Sequence, residues 1–286
     1  MKISTEIGMA ANFIGEKKAV EEVAKAGFDA WDFSMTDNMA LYDWSTGKLR
    51  PNDHPLATDN YLKFARELKK IGEDNGIHCN QSHAPFPCIV PEVRAYLKRS
   101  IECTAEAGGN ICVIHPCNDW TLKQNAEMYF ELLPFAKSCG VKIATENMWN
   151  WDGAKDQASP AACSDEKSFC AMLDEVKDEY FVACLDIGHA EMRGLNTDAV
   201  KMIHALGDKL QALHIHDNDK HYDSHELPYT MNIDFPPIIK ALKDVNYGGY
   251  FTLETVCYIK NKDEVTQKLL KMKEVARKMA DEFEND

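Results

Sequence analysis

A single (β/α)₈ barrel is the fold class this sequence predicts. Three observations predict it: short β-prone runs recur eight times in 286 residues, a helical pattern follows each, and no glycine-rich phosphate loop follows the first. Strands that alternate with helices pair in parallel through right-handed crossovers, and eight such units fill this length better as a closed ring than as an open doubly wound sheet. One domain over residues 1–286 follows.

The strands read in order as "KISTEIG", "FDAWDFS", "IHCNQSHA", "ICVIHP", "VKIATEN", "FVACLDIGH", "LQALHIHDN" and "YFTLET". Between them, "EKKAVEEVAKAG" and "DNYLKFARELKKIGEDNG" place apolar residues at helical spacing and stop at glycine. The helical pattern continues in "PEVRAYLKRSIECTAEAGG", "AEMYFELLPFAKSCG", "DEKSFCAMLDEVKD", "NTDAVKMIHALGD" and "FPPIIKALKDVNYGG". It closes in "KDEVTQKLLKMKEVARKMADEFE", whose Lys268, Lys271, Lys273 and Arg277 set against Glu274 and Glu282 read as a solvated face. The longest stretches without a pattern, 36–58 and 149–162, are βα loops and are expected to lie over the C-terminal mouth as substrate covers.

A net charge of −14 argues against binding to phosphate backbones, which needs lysine and arginine. The ten cysteines form no C-x-x-C pair and several fall in apolar runs, so they are expected to be free thiols of a reducing cytoplasm. The start, "MKISTEIGMAANFIGEKK", has no export-length apolar stretch, and no later segment approaches a membrane span. A soluble cytoplasmic protein without membrane contact is the expectation.

In such a barrel the chemistry sits at the C-terminal ends of the strands. Strand three ends at His83, strand four at His115, strand five at Glu146 and strand six at Asp186, with His189 just beyond. Strand seven carries His214 and His216 on one face, followed by Asp223 and His225, and strand eight ends at Glu254. Each residue alone has an ordinary reading: a strand-end histidine is usually a hydrogen-bonded rim residue, and a strand-end carboxylate often caps the next helix. Six successive strands delivering such groups to one rim is a stronger signal. Converging buried carboxylates repel unless something positive lies between them. Carboxylate oxygens with imidazole nitrogens and no thiolate suit Mn²⁺, Mg²⁺, Co²⁺ or Zn²⁺. Asp186 is therefore a proposed ligand, and His189 a ligand or substrate contact.

At these residues the chain resembles the xylose isomerase-like barrel superfamily, which includes sugar and sugar-phosphate isomerases and epimerases and the endonuclease IV type of apurinic endonuclease. The motifs run in order from strand three to strand eight, so the resemblance spans essentially the whole chain. The epimerase branch holds one divalent metal with Glu, Asp, His and Glu from strands five to eight. The resemblance thus implies Glu146, Asp186, His214 and Glu254 as ligands, with Mn²⁺ the first choice. His214 is taken over His216 because "ALH" continues the strand, and both stay in view.

By the same resemblance, a sugar chelates the metal through its carbonyl and an adjacent hydroxyl, and Glu146 and Glu254 act as base and acid around an enediolate. His83, His115, His189, His216, Asp223, His225 and Trp149 become substrate contacts. The endonuclease branch implies a different site of three zincs, for which this chain has suitable residues at all nine positions, adding His83, His115, His189, Asp223 and His225 to the four above. The loops oppose a DNA substrate: Asp152, Asp156 and Asp165 face only Lys155 in the loop after strand five.

Two features depart from the epimerase pattern. "ELPYTMNIDF" replaces a glycine-rich turn after strand seven, and a substrate-holding arginine has no counterpart, leaving Lys220, Tyr222 or His225 for that place. Related barrels also dehydrate substrates or cleave carbon-glycosides, which keeps those reactions among the expectations, as well as a non-catalytic sugar-binding barrel. Similar barrels commonly form dimers and tetramers, so a homo-oligomer is an expectation that no segment here localises. Phe13, Trp31, Phe33, Trp44, Phe86, Trp149 and Trp151 are candidate wall residues at the mouth, while His54, His78, His204 and His221 read as structural or solvated.

Overall fold

The computed structural model describes residues 1–285. Eight parallel strands form the barrel: β1 (Lys2–Glu6), β2 (Ala30–Ser34), β3 (His78–His83), β4 (Ile111–Val113), β5 (Lys142–Glu146), β6 (Phe181–Asp186), β7 (Leu210–His214) and β8 (Tyr250–Leu253). Their order around the sheet is β7-β6-β5-β4-β3-β2-β1-β8. A single parallel bridge between Ile215 and Leu253 completes the ring, with the Ile215 N–H donating to Thr252 and the Glu254 N–H to Ile215.

Strand alternation sorts the side chains. Trp31, Phe33, Ile143, Phe181, Leu185, Leu213 and Phe251 belong to the main core between strands and helices. The alternate positions Val113, Ala144, Val182, Cys184 and Ala212 form a separate small cluster, in step with Glu146, Asp186 and His214 above them. Opposite this cluster, Ser4 donates to Asn80 at 2.6 Å and Asn80 to Thr252 at 3.1 Å. The barrel interior is thus plugged low by small and neutral residues, and its ionisable groups gather at one end.

The long helices Glu16–Ala26, Tyr61–Asp74, Leu97–Ala107, Leu122–Cys139, Glu166–Val176, Ala199–Leu206, Phe235–Asp244 and Val265–Asn285 occur where the apolar periodicity places them. Gly27 and Gly108 end two of them in the left-handed region, at φ 94° and 86°, where an L side chain is strained. Asp165 starts another by accepting the Lys167 and Ser168 N–H groups. No helix among the described residues is long and apolar enough to cross a membrane. All ten cysteines are free, seven of them buried.

The fold corrects four readings. The loops at 36–58 and 149–162 are structured: each carries an antiparallel hairpin, Tyr42–Asp43 with Lys48–Leu49 and Trp149–Asp152 with Gln157–Pro160. A short helix, Gly8–Ile14, follows β1 directly. The pattern beginning at Pro91 breaks into Pro91–Arg94 and Leu97–Ala107. Trp31 and Phe33 are not mouth residues; they are fully buried in the outer core, edge to face at 5.4 Å.

Candidate metal centre

The polar rim assembles into connected groups whose possible ligand atoms lie within 4.8 Å of one another. Glu146, Asp186, His214 and Glu254 make one group; His83 and His115 share Glu146 in a second; His189, His216, Asp223 and His225 make a third. Every position expected at the rim is therefore brought to one place.

Glu146 links the first two groups. Its Oε2 lies 3.1 Å from His214 Nδ1, 3.4 Å from His115 Nε2 and 3.9 Å from His83 Nε2. His83 and His115 face each other through Nε2 atoms only 2.8 Å apart. Burial pushes the Glu146 carboxyl up, but the His214 and His115 imidazoles override it and hold the carboxyl well below the usual carboxylate range. Burial, reinforced by His115, pushes His83 well below the usual imidazole range, which leaves it neutral. Burial also lifts Glu254 to about 8, against the opposing pull of His214 and His225.

Hydrogen bonds to backbone carbonyls fix how several imidazoles are presented. His189 Nδ1 lies 2.9 Å from the Asn147 carbonyl oxygen, and His225 Nδ1 lies 2.9 Å from that of Glu254. A carbonyl only accepts, so both Nδ1 atoms carry hydrogen and both rings turn Nε2 to Asp223 Oδ2, at 3.1 and 3.2 Å. Trp149 adds an indole N–H to the same oxygen at 3.3 Å. Each Nε2 then offers either a lone pair to a cation or a second proton to Asp223. Without a cation the protons win: burial disfavours a charged His189, but Asp186 and Asp223 raise it well above the ordinary imidazole range.

The two histidines of β7 divide the carboxylates between them. His214 faces Glu146 and lies 3.7 Å from Glu254 Oε2, whereas His216 Nε2 approaches Asp186 Oδ1 at 3.1 Å. His216 stacks on His225 with centroids 3.8 Å apart. Gly188 makes room for it, because a Cβ there would fall inside the His216 ring. Asn147 fastens the end of β6 by receiving the Asp186 N–H at 2.8 Å and donating to its carbonyl at 2.9 Å.

Several participants have no counterpart among the rim residues read from the sequence. Asp32, fully buried in the middle of β2, lies 3.3 Å from His214 Nε2 and accepts from Gln81 at 2.9 Å. With Nε2 turned to Asp32, Nδ1 is the nitrogen presented to Glu146 and Glu254, the arrangement of a ligand imidazole oriented by an outer carboxylate. Without a cation, burial disfavours charge on His214 but Cys184, Glu254 and Glu146 raise it well above the ordinary imidazole range, so Nδ1 holds a proton that a cation would displace. Glu6, at the end of β1, accepts the Gly8 N–H, and burial followed by repulsion from Asp32 raises it to about 7. Glu6 ends β1, and Asp32 is its register partner on β2.

A cavity of about 420 Å³ opens above these groups, lined on one side by His83, His115, Glu146, His189, Asp223, His225 and Glu254 and on the other by Glu6, Asn12, Ser34, Thr36 and Asn38. Trp149 and Phe86 contribute its aromatic wall. Lys220 and Tyr222 do not reach it: Lys220 pairs with Glu191 at 2.8 Å, and Tyr222 is exposed against Trp151. Trp44 lines a neighbouring cavity instead. His54 bonds Glu16 and His78 bonds Tyr250, so both serve the scaffold.

A metal requirement can be tested on this arrangement. Asp186 Oδ2, Asp223 Oδ1 and Asp32 Oδ1 are buried without a hydrogen-bond partner. Orphaned carboxylate oxygens beside imidazole nitrogens whose protons a cation would displace fit divalent cations, and the donor set contains no thiolate to favour a structural zinc.

Residues 20–275 match the family described as Xylose isomerase-like TIM barrel. The chain belongs to that family. An uncharacterised protein of Methanocaldococcus jannaschii, MJ1311, is 24% identical over 254 residues, covering 82% of this chain and 78% of its own. Among solved structures, a D-tagatose 3-epimerase-like protein superposes with a TM-score of 0.71 at 21% identity, over 98% of this chain and 97% of that one. The IolI protein, with a zinc atom bound, superposes with a TM-score of 0.70 at 18% identity, over 97% and 99%.

Proposed function

We propose that this xylose isomerase-like barrel is a divalent-metal-dependent isomerase or epimerase acting on a neutral sugar or sugar-derived ketone. One observation carries the reading: Glu146, Asp186, His214 and Glu254, from four consecutive strands, converge within 4.8 Å, and Glu146 and Glu254 open onto the mouth cavity. These four residues would hold Mn²⁺, Mg²⁺, Co²⁺ or Zn²⁺, with Mn²⁺ preferred. When bound, the cation would supply Lewis acidity toward a substrate carbonyl and so ease loss of the neighbouring C–H proton.

The side chains divide the proton transfers. Glu146 would accept the proton from carbon as base and Glu254 would return one as acid, each by its place beside the cavity. Return to the opposite face of the carbon gives an epimer; return at the neighbouring position moves the carbonyl. His189 and Trp149 orient substrate oxygens and close the wall against water. Among the described residues no lysine or arginine lines the cavity, and the His189 and His225 imidazoles there are already paired with Asp223, which favours an unphosphorylated substrate. The likeness to a D-tagatose 3-epimerase-like protein supports this reaction class.

Deuterium uptake from D₂O into a panel of ketoses tests the reading. Uptake that requires Mn²⁺ and stops with EDTA is the expected outcome, and no uptake by metal-loaded protein on any ketose would contradict it.

A second reading rests on the two flanking groups. His83, His115 and Glu146, and His189, Asp223 and His225, would give two further cation sites and a multinuclear hydrolase of the endonuclease IV type. The hairpin over the mouth weighs against DNA, since Lys155 is paired with Asp152 at 3.2 Å beside Asp156. Two or three retained zincs with nicking of abasic duplex would favour this second reading.

A further inference from the structure

Beside the carboxylate-imidazole cavity lies a second one of about 360 Å³ with a different character. Its apolar walls are Tyr42, Trp44, Phe86, Ile89 and Met148, and its polar residues are His115, Asn118, Asp119 and Asn150. Phe86, His115 and Met148 line both cavities, so one molecule can extend from the first into the second.

The aromatic residues form a path. Trp44 meets Tyr42 edge to face at 5.0 Å and Phe86 at 6.3 Å, and Phe86 stacks on His115 at 4.7 Å. The path therefore runs from the mouth surface to an imidazole that touches Glu146. Trp44 is 68% exposed and Ile89 43% exposed, although both belong to a concave site. Large apolar side chains held open to water in a cavity mark a place for apolar surface to be buried. The hairpin presents Trp44 in a fixed position, because Asp43 accepts both the N–H and the hydroxyl of Ser45, at 2.9 and 2.6 Å.

The polar inventory narrows the ligand. Asn118 donates to the Trp149 carbonyl at 3.0 Å and to Asn150 Oδ1 at 3.1 Å, while its own Oδ1 is buried without a partner. No lysine or arginine lines this cavity. An anionic group would meet the Asp119 carboxylate with no lysine or arginine to offset it, and a second sugar ring would find mainly acceptors, Asp119 and Asn118 Oδ1, because Asn118 spends its donors on Trp149 and Asn150.

We propose that this cavity is a subsite for an apolar, aryl-type substituent carried by the substrate, seated against Trp44 and Ile89 while the polyol part lies over Glu146 and Glu254. The assignment rests on the sugar reading of the main cavity. It makes the substrate a substituted sugar rather than a bare monosaccharide.

Calorimetric titration of the Mn²⁺-loaded protein with phenyl β-D-glucoside, methyl β-D-glucoside and cellobiose tests it. The phenyl compound is expected to bind about tenfold or more tighter than the methyl compound, in keeping with burial of one aromatic ring. Trp44→Ala and Ile89→Asp, each at an exposed position, are expected to bring that ratio to within about twofold. Equal binding of phenyl and methyl compounds, failure of every glucoside to bind, a ratio that survives both substitutions, or a gain for cellobiose equal to that for phenyl would each overturn it. Deuterium uptake into unsubstituted D-fructose by the wild-type protein separates the two claims. A phenyl preference without exchange on any ketose removes the isomerase reading and leaves the subsite; exchange without a phenyl preference does the reverse.

Discussion

The two sides of the barrel mouth manage buried carboxylates differently. On the β5 to β8 side, Glu146, Asp186 and Asp223 each face imidazoles, and Glu146 and Asp223 are held well below the usual carboxylate range despite burial. On the β1 to β2 side, Glu6 has Asp32 for a neighbour and no facing base, and burial raises it to about 7. Glu146 and Glu6, glutamates that end strands on the two sides, thus carry charge and a proton respectively, while Glu254, buried beside Glu146 and Asp186 as well as His214 and His225, is lifted to about 8. Neighbours decide which, because desolvation alone would protonate them all.

Four experiments would break or sharpen this contrast. The largest effect is expected at Glu254: Glu254→Gln removes a proton carrier while keeping the shape, and deuterium uptake into the responsive ketose should fall about 10²- to 10⁴-fold. Retained uptake would remove Glu254 from the proton transfers.

Glu6 tests the other side. Its folded value of about 7 lies above the reference value of 4.5, so between these the folded protein binds more protons than the unfolded one. Its stabilising contribution is complete below 4.5 and is lost as the pH rises through 7. In EDTA-treated protein, the unfolding free energy of Glu6→Gln relative to wild type should move in the variant's favour by roughly 3 kcal/mol between pH 4.5 and pH 8. Urea titrations at the two pH values read it, and a constant difference would show that Glu6 does not hold its proton.

Asp32 connects the sides by orienting His214. Asp32→Asn is expected to weaken Mn²⁺ binding about 10- to 100-fold without changing the ligands themselves. Unchanged affinity would assign Asp32 to Gln81 and the scaffold alone. The smallest effect concerns pH. Glu254, lifted to about 8 without a cation, must lose its proton to become a ligand, so Mn²⁺ affinity should fall as the pH drops below 8, by about tenfold per pH unit or more. A flat profile across pH 6.5–8.5, read by calorimetry, would argue that Glu254 is already ionised.

These contrasts also show what the sequence discloses. Strand-end positions were legible because β-prone runs stop at polar residues, and the period of two puts His214 and His216 on one face. Their division between Glu146 and Asp186 was not legible: it depends on a register shift at Ala183/Cys184 between β6 and β7, which leaves no local mark. Glu6 and Asp32 escaped notice because no histidine accompanies them along the chain; His214, the partner of Asp32, is 182 residues away. The hairpins at Tyr42–Leu49 and Trp149–Pro160 were read as irregular because their strands are only two to four residues long, too short for alternation to show. Trp31 and Phe33 pack in the outer core instead of at the mouth because Asp32, between them on β2, points inward and strand alternation sends its two neighbours outward.

The direct test of the central claim is titration of EDTA-treated protein with Mn²⁺, comparing wild type with His214→Ala and Asp186→Asn variants whose folding is verified by circular dichroism. At least one tightly held ion per chain in the wild type, lost or severely weakened in both variants, is the predicted result. A wild-type protein that takes up no divalent ion, or variants that bind it as tightly as the wild type does, would contradict the account.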